Sequence, residues 1–210
     1  MKIFGLFFAL FSICLTACEP ATKNNTETII AEDTAGVIKN DSVAQVNTEE
    51  SPLALALSSN AIQIITKTNG STREINFNTP QERTIDIIKK VLKAKPTISL
   101  NSECGAGPLK MATWDNGLTL LFQEIKGEWL FVGWAANQAK DTNTQLGTMA
   151  GIGVGSTRKE METAYVINVQ KTSLGYEFTT KSNDLFGIFN AAGEAAKITN
   201  LWSGVSCNFR

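Results

Sequence analysis

The chain has 210 residues, with 19 basic and 20 acidic side chains, a net charge of −1 and no histidine. The missing histidine removes Ser-His-Asp and Cys-His nucleophilic sites, His-ligated metals and the usual general base near neutral pH. A near-neutral balance without a concentrated basic face excludes the electrostatic footprint of a nucleic-acid binder.

The amino terminus has the three zones of an export signal. Lys2 is the positive end, Ile3 to Cys14 form an apolar run, and Leu15-Thr16-Ala17-Cys18 closes it. Twelve or so apolar residues fall short of the ~20 that span a bilayer, so residues 1–17 read as a removable signal. The closing tetrapeptide resembles the bacterial lipobox. That resemblance implies cleavage before Cys18, acylation of Cys18, and durable attachment to an envelope membrane through several acyl chains. In a Gram-negative cell the expected address is the outer membrane, facing the periplasm.

From Glu19 to Asn60 there is no aromatic residue, and seven acids stand against Lys23 and Lys39. Such a composition buries too little apolar surface to offset its ordering entropy. Residues 18–60 therefore read as a lipidated cysteine and a flexible acidic tether. Ser51 to Leu57 is the one apolar patch, open to either a strand or a short helix.

The remaining residues, 61–210, carry 16 basic and 13 acidic side chains and suit a compact α+β unit or two small halves. Ile62 to Thr66 and Glu74 to Phe77 are β-rich around the Asn69-Gly70 turn. Thr79-Pro80-Gln81-Glu82 predicts a helix start, with Thr79 as N-cap, proline first and Glu82 at the third position. Ile85, Ile88 and Leu92 form its apolar stripe, and Pro96 ends it. The cluster Lys89, Lys90, Lys93 and Lys95 reads as a solvated helix face. Three strands follow: Lys110 to Trp114, Leu118 to Glu124 and Trp129 to Trp134.

The second half repeats this order. Ile152 to Val154 suggests a short strand, and Thr157 with Glu160 a second capping box. Strands are expected near Val166 to Lys171, Gly175 to Thr180, Leu185 to Phe189 and Lys197 to Trp202. Shifting Lys110–Phe122 forward by 67 residues lays Met111 on Phe178, Asn116 on Asn183, Leu118 on Leu185 and Phe122 on Phe189. This suggests duplication of a helix-plus-meander unit, with modules at 61–140 and 141–210. Gly153-Val154-Gly155-Ser156-Thr157-Arg158-Lys159-Glu160-Met161 and, without the glycines, Asn78-Thr79-Pro80-Gln81-Glu82 resemble the small α+β modules of the BamE and β-lactamase-inhibitor-protein type. That resemblance implies a surface for binding another protein. The segments Glu103-Cys104-Gly105-Ala106-Gly107-Pro108, Gly117 to Leu120 and Phe131 to Trp134 also resemble an uncharacterised group of bacterial secreted proteins, which brings no activity with it.

With Cys14 in the signal and Cys18 acylated, Cys104 and Cys207 remain in an oxidising compartment, and a disulfide between them is the economical expectation. Its loop of about 100 residues is worth at most ~4.7 kcal/mol on the chain-entropy estimate. Two cysteines without histidine make a poor metal site, no Cys-x-x-Cys is present, and no cofactor is indicated. Ser156-Thr157-Arg158-Lys159 matches Ser-x-x-Lys but lacks the companion Ser-Asp-Asn and Lys-Thr-Gly elements. Gly151-Ile152-Gly153-Val154-Gly155 lacks the spacing of a phosphate loop and reads as room for close backbone approach.

The leading expectation is a membrane-anchored, non-catalytic binding or assembly module with an envelope protein partner. The alternative is an envelope hydrolase or carbohydrate binder, using a pair among Glu103, Asp115, Glu124, Glu128 and Glu177 with Trp114, Trp129, Trp134 and Trp202.

Overall fold

The computed structural model describes residues 52–140 and 146–207. The expected signal, Cys18 and the tether as far as residue 51 lie outside them. Leu53–Leu57 is a strand, β1, so the folded part begins ahead of Ala61. It pairs with β2 (Ala61–Thr66), which pairs with β3 (Thr72–Asn76), in a three-stranded antiparallel sheet. The β2–β3 turn closes through Gly70 N donating to the Thr66 carbonyl, with Gly70 at φ +69.

Helix α1 (Gln81–Leu92) starts later than its sequence signals indicate. Thr79 does not cap it: the Thr79 hydroxyl donates to the Asn76 carbonyl at 2.7 Å, and Glu82 makes no reciprocal capping bond. Tertiary pairing overrides the local signal here. Asn78 N donates to the Phe131 carbonyl and Phe131 N to the Thr79 carbonyl, which holds the chain extended through Pro80. Glu82 still lies in the first turn, where its charge suits the helix dipole. Ile88 is fully buried, Ile85, Ile87, Val91 and Leu92 pack beside it, and Lys93 ends the helix in the left-handed conformation.

Eight strands form the main sheet. The first four are β4 (Thr97–Asn101), β5 (Leu109–Thr113), β6 (Leu118–Ile125) and β7 (Glu128–Ala136). After helix α2 (Arg158–Ala164) come β8 (Ile167–Thr172), β9 (Gly175–Thr180), β10 (Phe186–Phe189) and β11 (Ile198–Gly204). Their order is β4-β5-β6-β7-β11-β10-β9-β8, antiparallel throughout. The expected three strands after α1 are therefore four. β4 escaped notice because it is an edge strand whose apolar residues, Ile98 and Leu100, are exposed. The short strand expected at Ile152–Val154 is only an isolated bridge, Gly147 to Gly153.

Each half thus runs from a helix into a four-stranded meander, and the last strands, β7 and β11, pair at the seam. The chain ahead of α2 pairs with β11 as that ahead of α1 pairs with β7: Gly155 N donates to the Ile198 carbonyl and Ile198 N to the Ser156 carbonyl, both at 2.8 Å. At α2 the local signal holds. Thr157 caps it, accepting from Glu160 N, while the Glu160 carboxylate accepts from Thr157 N at 2.7 Å.

The two halves share a single core. Leu118, Leu120, Phe122, Phe131 and Trp134 from one half join Phe178, Leu185, Phe189, Ile198 and Leu201 from the other on the sheet's inner face. Leu57, Ile62, Ile64 and Ile75 of the small sheet close over them with Ile88 and Met161 of the helices. Trp134 Nε1 donates to the Ser58 carbonyl at 2.7 Å, and the Ser203 hydroxyl lies between the carbonyls of Ser59 and Asp184. A β-bulge at Val132 lets β7 turn Val132 outward beside Phe131 facing inward. On the outer face, Leu109, Leu121 and Val132 form a smaller cluster with Cys104, Val205 and Cys207.

Candidate binding site

The site is built at the seam, at the end of the sheet where β7 stops and β11 begins. Asp115-Asn116-Gly117 is a three-residue hairpin turn: Gly117 N donates to the Trp114 carbonyl and Trp114 N to the Leu118 carbonyl. Gly117 has φ +87, and a Cβ there would lie 2.2 Å from the Asn137 carbonyl oxygen. Glycine therefore lets the end of β7 lie against the turn, where Asn137 N donates to the Gly117 carbonyl. The close packing brings Asn116 beside residues 136–139 of one half and Val154, Gly155, Asn190 and Lys197 to Thr199 of the other. Between them is a cavity of about 470 Å³, within the range of small-ligand pockets.

Its polar groups are biased towards donors. Asn116 is 9 % exposed, and its Oδ1 accepts from Leu118 N at 3.2 Å, which fixes the amide orientation. Its Nδ2 is buried without a hydrogen-bond partner among the described residues. A buried unmade donor costs ~1–3 kcal/mol, which a bound acceptor relieves. Two further asparagines are oriented the same way. Asn137 Oδ1 accepts from Asn200 Nδ2 at 2.7 Å, and Asn190 Oδ1 accepts from Lys197 N at 2.9 Å. Asn190 is left with its NH₂ to offer, while the Asn137 amide, joined to Asn200, borders a depression on the outer face. Lys197 adds a positive charge, while Ala136, Leu146, Val154 and Ile198 supply apolar wall, and no described lining residue is acidic.

None of the acids singled out in the sequence lines this cavity. Asp115 lies at the opposite end of β6 from Glu124 and Glu128, roughly 26 Å away for eight residues at about 3.3 Å each. Carboxylate pairs in glycoside hydrolysis stand about 5–9.5 Å apart. Glu124 and Glu128 sit on opposite faces of the β6–β7 hairpin, since Glu124 pairs with Trp129 and Glu128 with Ile125. Glu103 is in the exposed β4–β5 loop, and Glu177 is buried on β9, three strands beyond β7. Trp114 and Trp134 are core residues, and the Lys110 ammonium lies 4.1 Å over the centre of the half-buried Trp129 ring. Trp202 is buried, stacked on Phe186, and borders an outer-face depression of about 320 Å³ with Met111, Leu121 and Cys207.

Cys104 and Cys207 are brought side by side in the outer cluster, 103 positions apart in sequence, but as free thiols and not as the expected bond. Burial, and then the Cys104 thiol beside it, raise the Cys207 pKa above the ordinary thiol value, and the Asn101 amide donates to its sulfur at 3.4 Å. Glycine at 153 is explained by close approach, since a Cβ would lie 2.1 Å from the Leu146 carbonyl oxygen, whereas Gly151 and Gly155 have open space and positive φ. Ser156 of the Ser-x-x-Lys match accepts from Gly153 N and holds that turn. Among the described residues no cluster of His, Cys, Asp and Glu could hold a metal ion, and no helix is long and apolar enough to cross a membrane.

No family model, curated protein or solved structure matches the chain. The seam residues were not singled out as a site in the sequence. Asn116 registers there as a turn residue, and Asn137, Asn190 and Lys197 carry no motif.

Proposed function

We propose that this chain is a membrane-anchored envelope lipoprotein that acts as a non-catalytic binding module, built from two tandem helix-plus-meander units. The observation that carries the binding reading is the seam cavity: donors and apolar wall meet in it, and none of the candidate carboxylates lines it. Anchoring rests on the lipobox resemblance at Cys18. Duplication is supported by the matching bridges ahead of the two helices. Phe131 and Ile198, which make them, are 198 − 131 = 67 positions apart, the offset that aligns Phe122 with Phe189. A Cys104–Cys207 disulfide belongs to the same reading, since the oxidising envelope would act on a pair already adjacent.

Two experiments test it. Cys18→Ala should release the protein from membranes or block its processing; unchanged membrane fractionation would defeat the anchor. A photocrosslinker placed at Asn190, on the cavity rim, should give a discrete adduct in intact cells, and one at Lys126, in the β6–β7 turn, should not. Recovery of free monomer from both positions would overturn the binding reading.

A further inference from the structure

We propose that the seam cavity recognises a carboxylate carried on a compact apolar body, such as the free C-terminus of a peptide ending in small aliphatic residues or a short-chain fatty acid. The inference rests on the binding reading above and names the ligand chemistry of that cavity. Two asparagine amides border the cavity with an oxygen engaged inside the protein: Asn116 by Leu118 N and Asn190 by Lys197 N. Each therefore offers NH₂ and not C=O. The Asn116 group is the sharper of the two, because it is buried and makes no bond among the described residues.

The Asn116 NH₂ and the Lys197 ammonium are donors, so a ligand rich in acceptors gains more here than one rich in donors. A ligand with acceptor oxygens satisfies the orphan donor and gains a charge-assisted bond if it is anionic. Lys197 favours that charge. Glu160, whose pKa Lys197 helps to lower, has its carboxylate already engaged by Thr157 N and Oγ1 in the α2 capping box. The hydroxyl of Thr199, also on the wall, donates to the Ile188 carbonyl and is occupied. Ala136, Leu146, Val154 and Ile198 then accommodate an aliphatic body of modest size. A sugar ligand fits less well, because the lining offers no described carboxylate to accept from its hydroxyls and no aromatic face to stack on.

The test is equilibrium titration of the membrane-extracted full chain with N-acetyl-Leu-Ala, with its C-terminal carboxamide and with hexanoate, followed by side-chain amide NMR shifts. At least one carboxylate should bind saturably and move the Asn116 NH₂ resonances, and the carboxamide should bind about tenfold or more weakly. The stronger of the two acids identifies the source. Asn116→Asp keeps the acceptor for Leu118 N and removes the NH₂ donor, so it should weaken binding by about tenfold or more; the buried carboxyl lowers the unfolding midpoint, and binding is therefore compared well below the variant's own midpoint. If that variant does not fold, Asn190→Asp serves, since it keeps the acceptor for Lys197 N. Equal binding of acid and carboxamide, no saturable binding of either acid, or unaltered affinity in a folded Asp variant would each overturn the proposal. If the rim adduct at Asn190 persisted in that case, the binding reading would stand without this ligand.

Discussion

Gly133→Ala tests whether the seam holds the two halves together. Gly133 lies on β7 opposite Gly204 of β11, and a Cβ built on it would stand 2.2 Å from the Val205 carbonyl oxygen and 2.8 Å from Val205 N. These are backbone atoms, so no rotamer change relieves the clash. The end of β11 must move outward by most of an ångström, which breaks the 2.9 Å bond from Val205 N to the Val132 carbonyl and strains the Ser203–Trp134 pairing. Overpacking of this kind costs about 1–3 kcal/mol and the lost hydrogen bond about 0.5–1.5. The stiffer unfolded chain returns about 0.4–1. The net loss is about 1–4 kcal/mol, or a drop in Tm of roughly 2–15 °C for a folded part of this size. Thermal unfolding followed by circular dichroism measures it, with Gly105→Ala as the control, since nothing lies within 4 Å of a Cβ there and φ is not positive. Equal midpoints for Gly133→Ala and the control would refute the claim that close backbone contact at the seam stabilises the fold.

The two helix starts should respond unequally to truncation. Thr157→Ala removes a capping box and should cost about 1 kcal/mol in urea unfolding, while Thr79→Ala loses only a turn hydroxyl bond and should cost less. The Thr157 backbone and side-chain bonds lower the Glu160 pKa from 4.5, so the stabilisation by Glu160 is present above that value and lost as pH falls through the depressed one. The penalty of Thr157→Ala should shrink over the same acid range, and a constant penalty would contradict the capping assignment. For the cysteine pair, mild oxidation should remove two titratable thiols and raise Tm, with a gain in unfolding free energy of no more than the ~4.7 kcal/mol of a 100-residue loop. Persistent labelling of both thiols after oxidation would argue against the bridge. In the reduced protein the raised Cys207 pKa means its stabilisation is full below the ordinary thiol value and is lost as pH climbs through the raised one, so reduced chains should unfold more readily in alkali.

Most elements of the folded part were legible because their causes are local. The β-rich run from Leu118, the Asn69-Gly70 turn and the Thr157–Glu160 box each rest on neighbours within a few residues, and each appears where the sequence placed it. The capping signal at Thr79 and Glu82 failed for the converse reason: the strand-like pairing of residues 78 and 79 with Phe131 is a contact across more than fifty positions, and it moved the helix start. β4 was missed because an edge strand leaves Ile98 and Leu100 in solvent, which blurs the burial that alternation implies.

The sequence alone determined the absence of histidine chemistry, the lipobox-like Cys18, the α+β composition and the spacing that aligns Phe122 with Phe189. Tertiary structure decided which of those residues meet. It joined β7 to β11, fused the two halves into one sheet and one core, and set Cys104 beside Cys207. It also brought Asn116, Asn190 and Lys197 to the border of one cavity. No spacing rule could reveal that site, because its walls come from the ends of β7 and β11, and only their pairing across the seam brings those ends together.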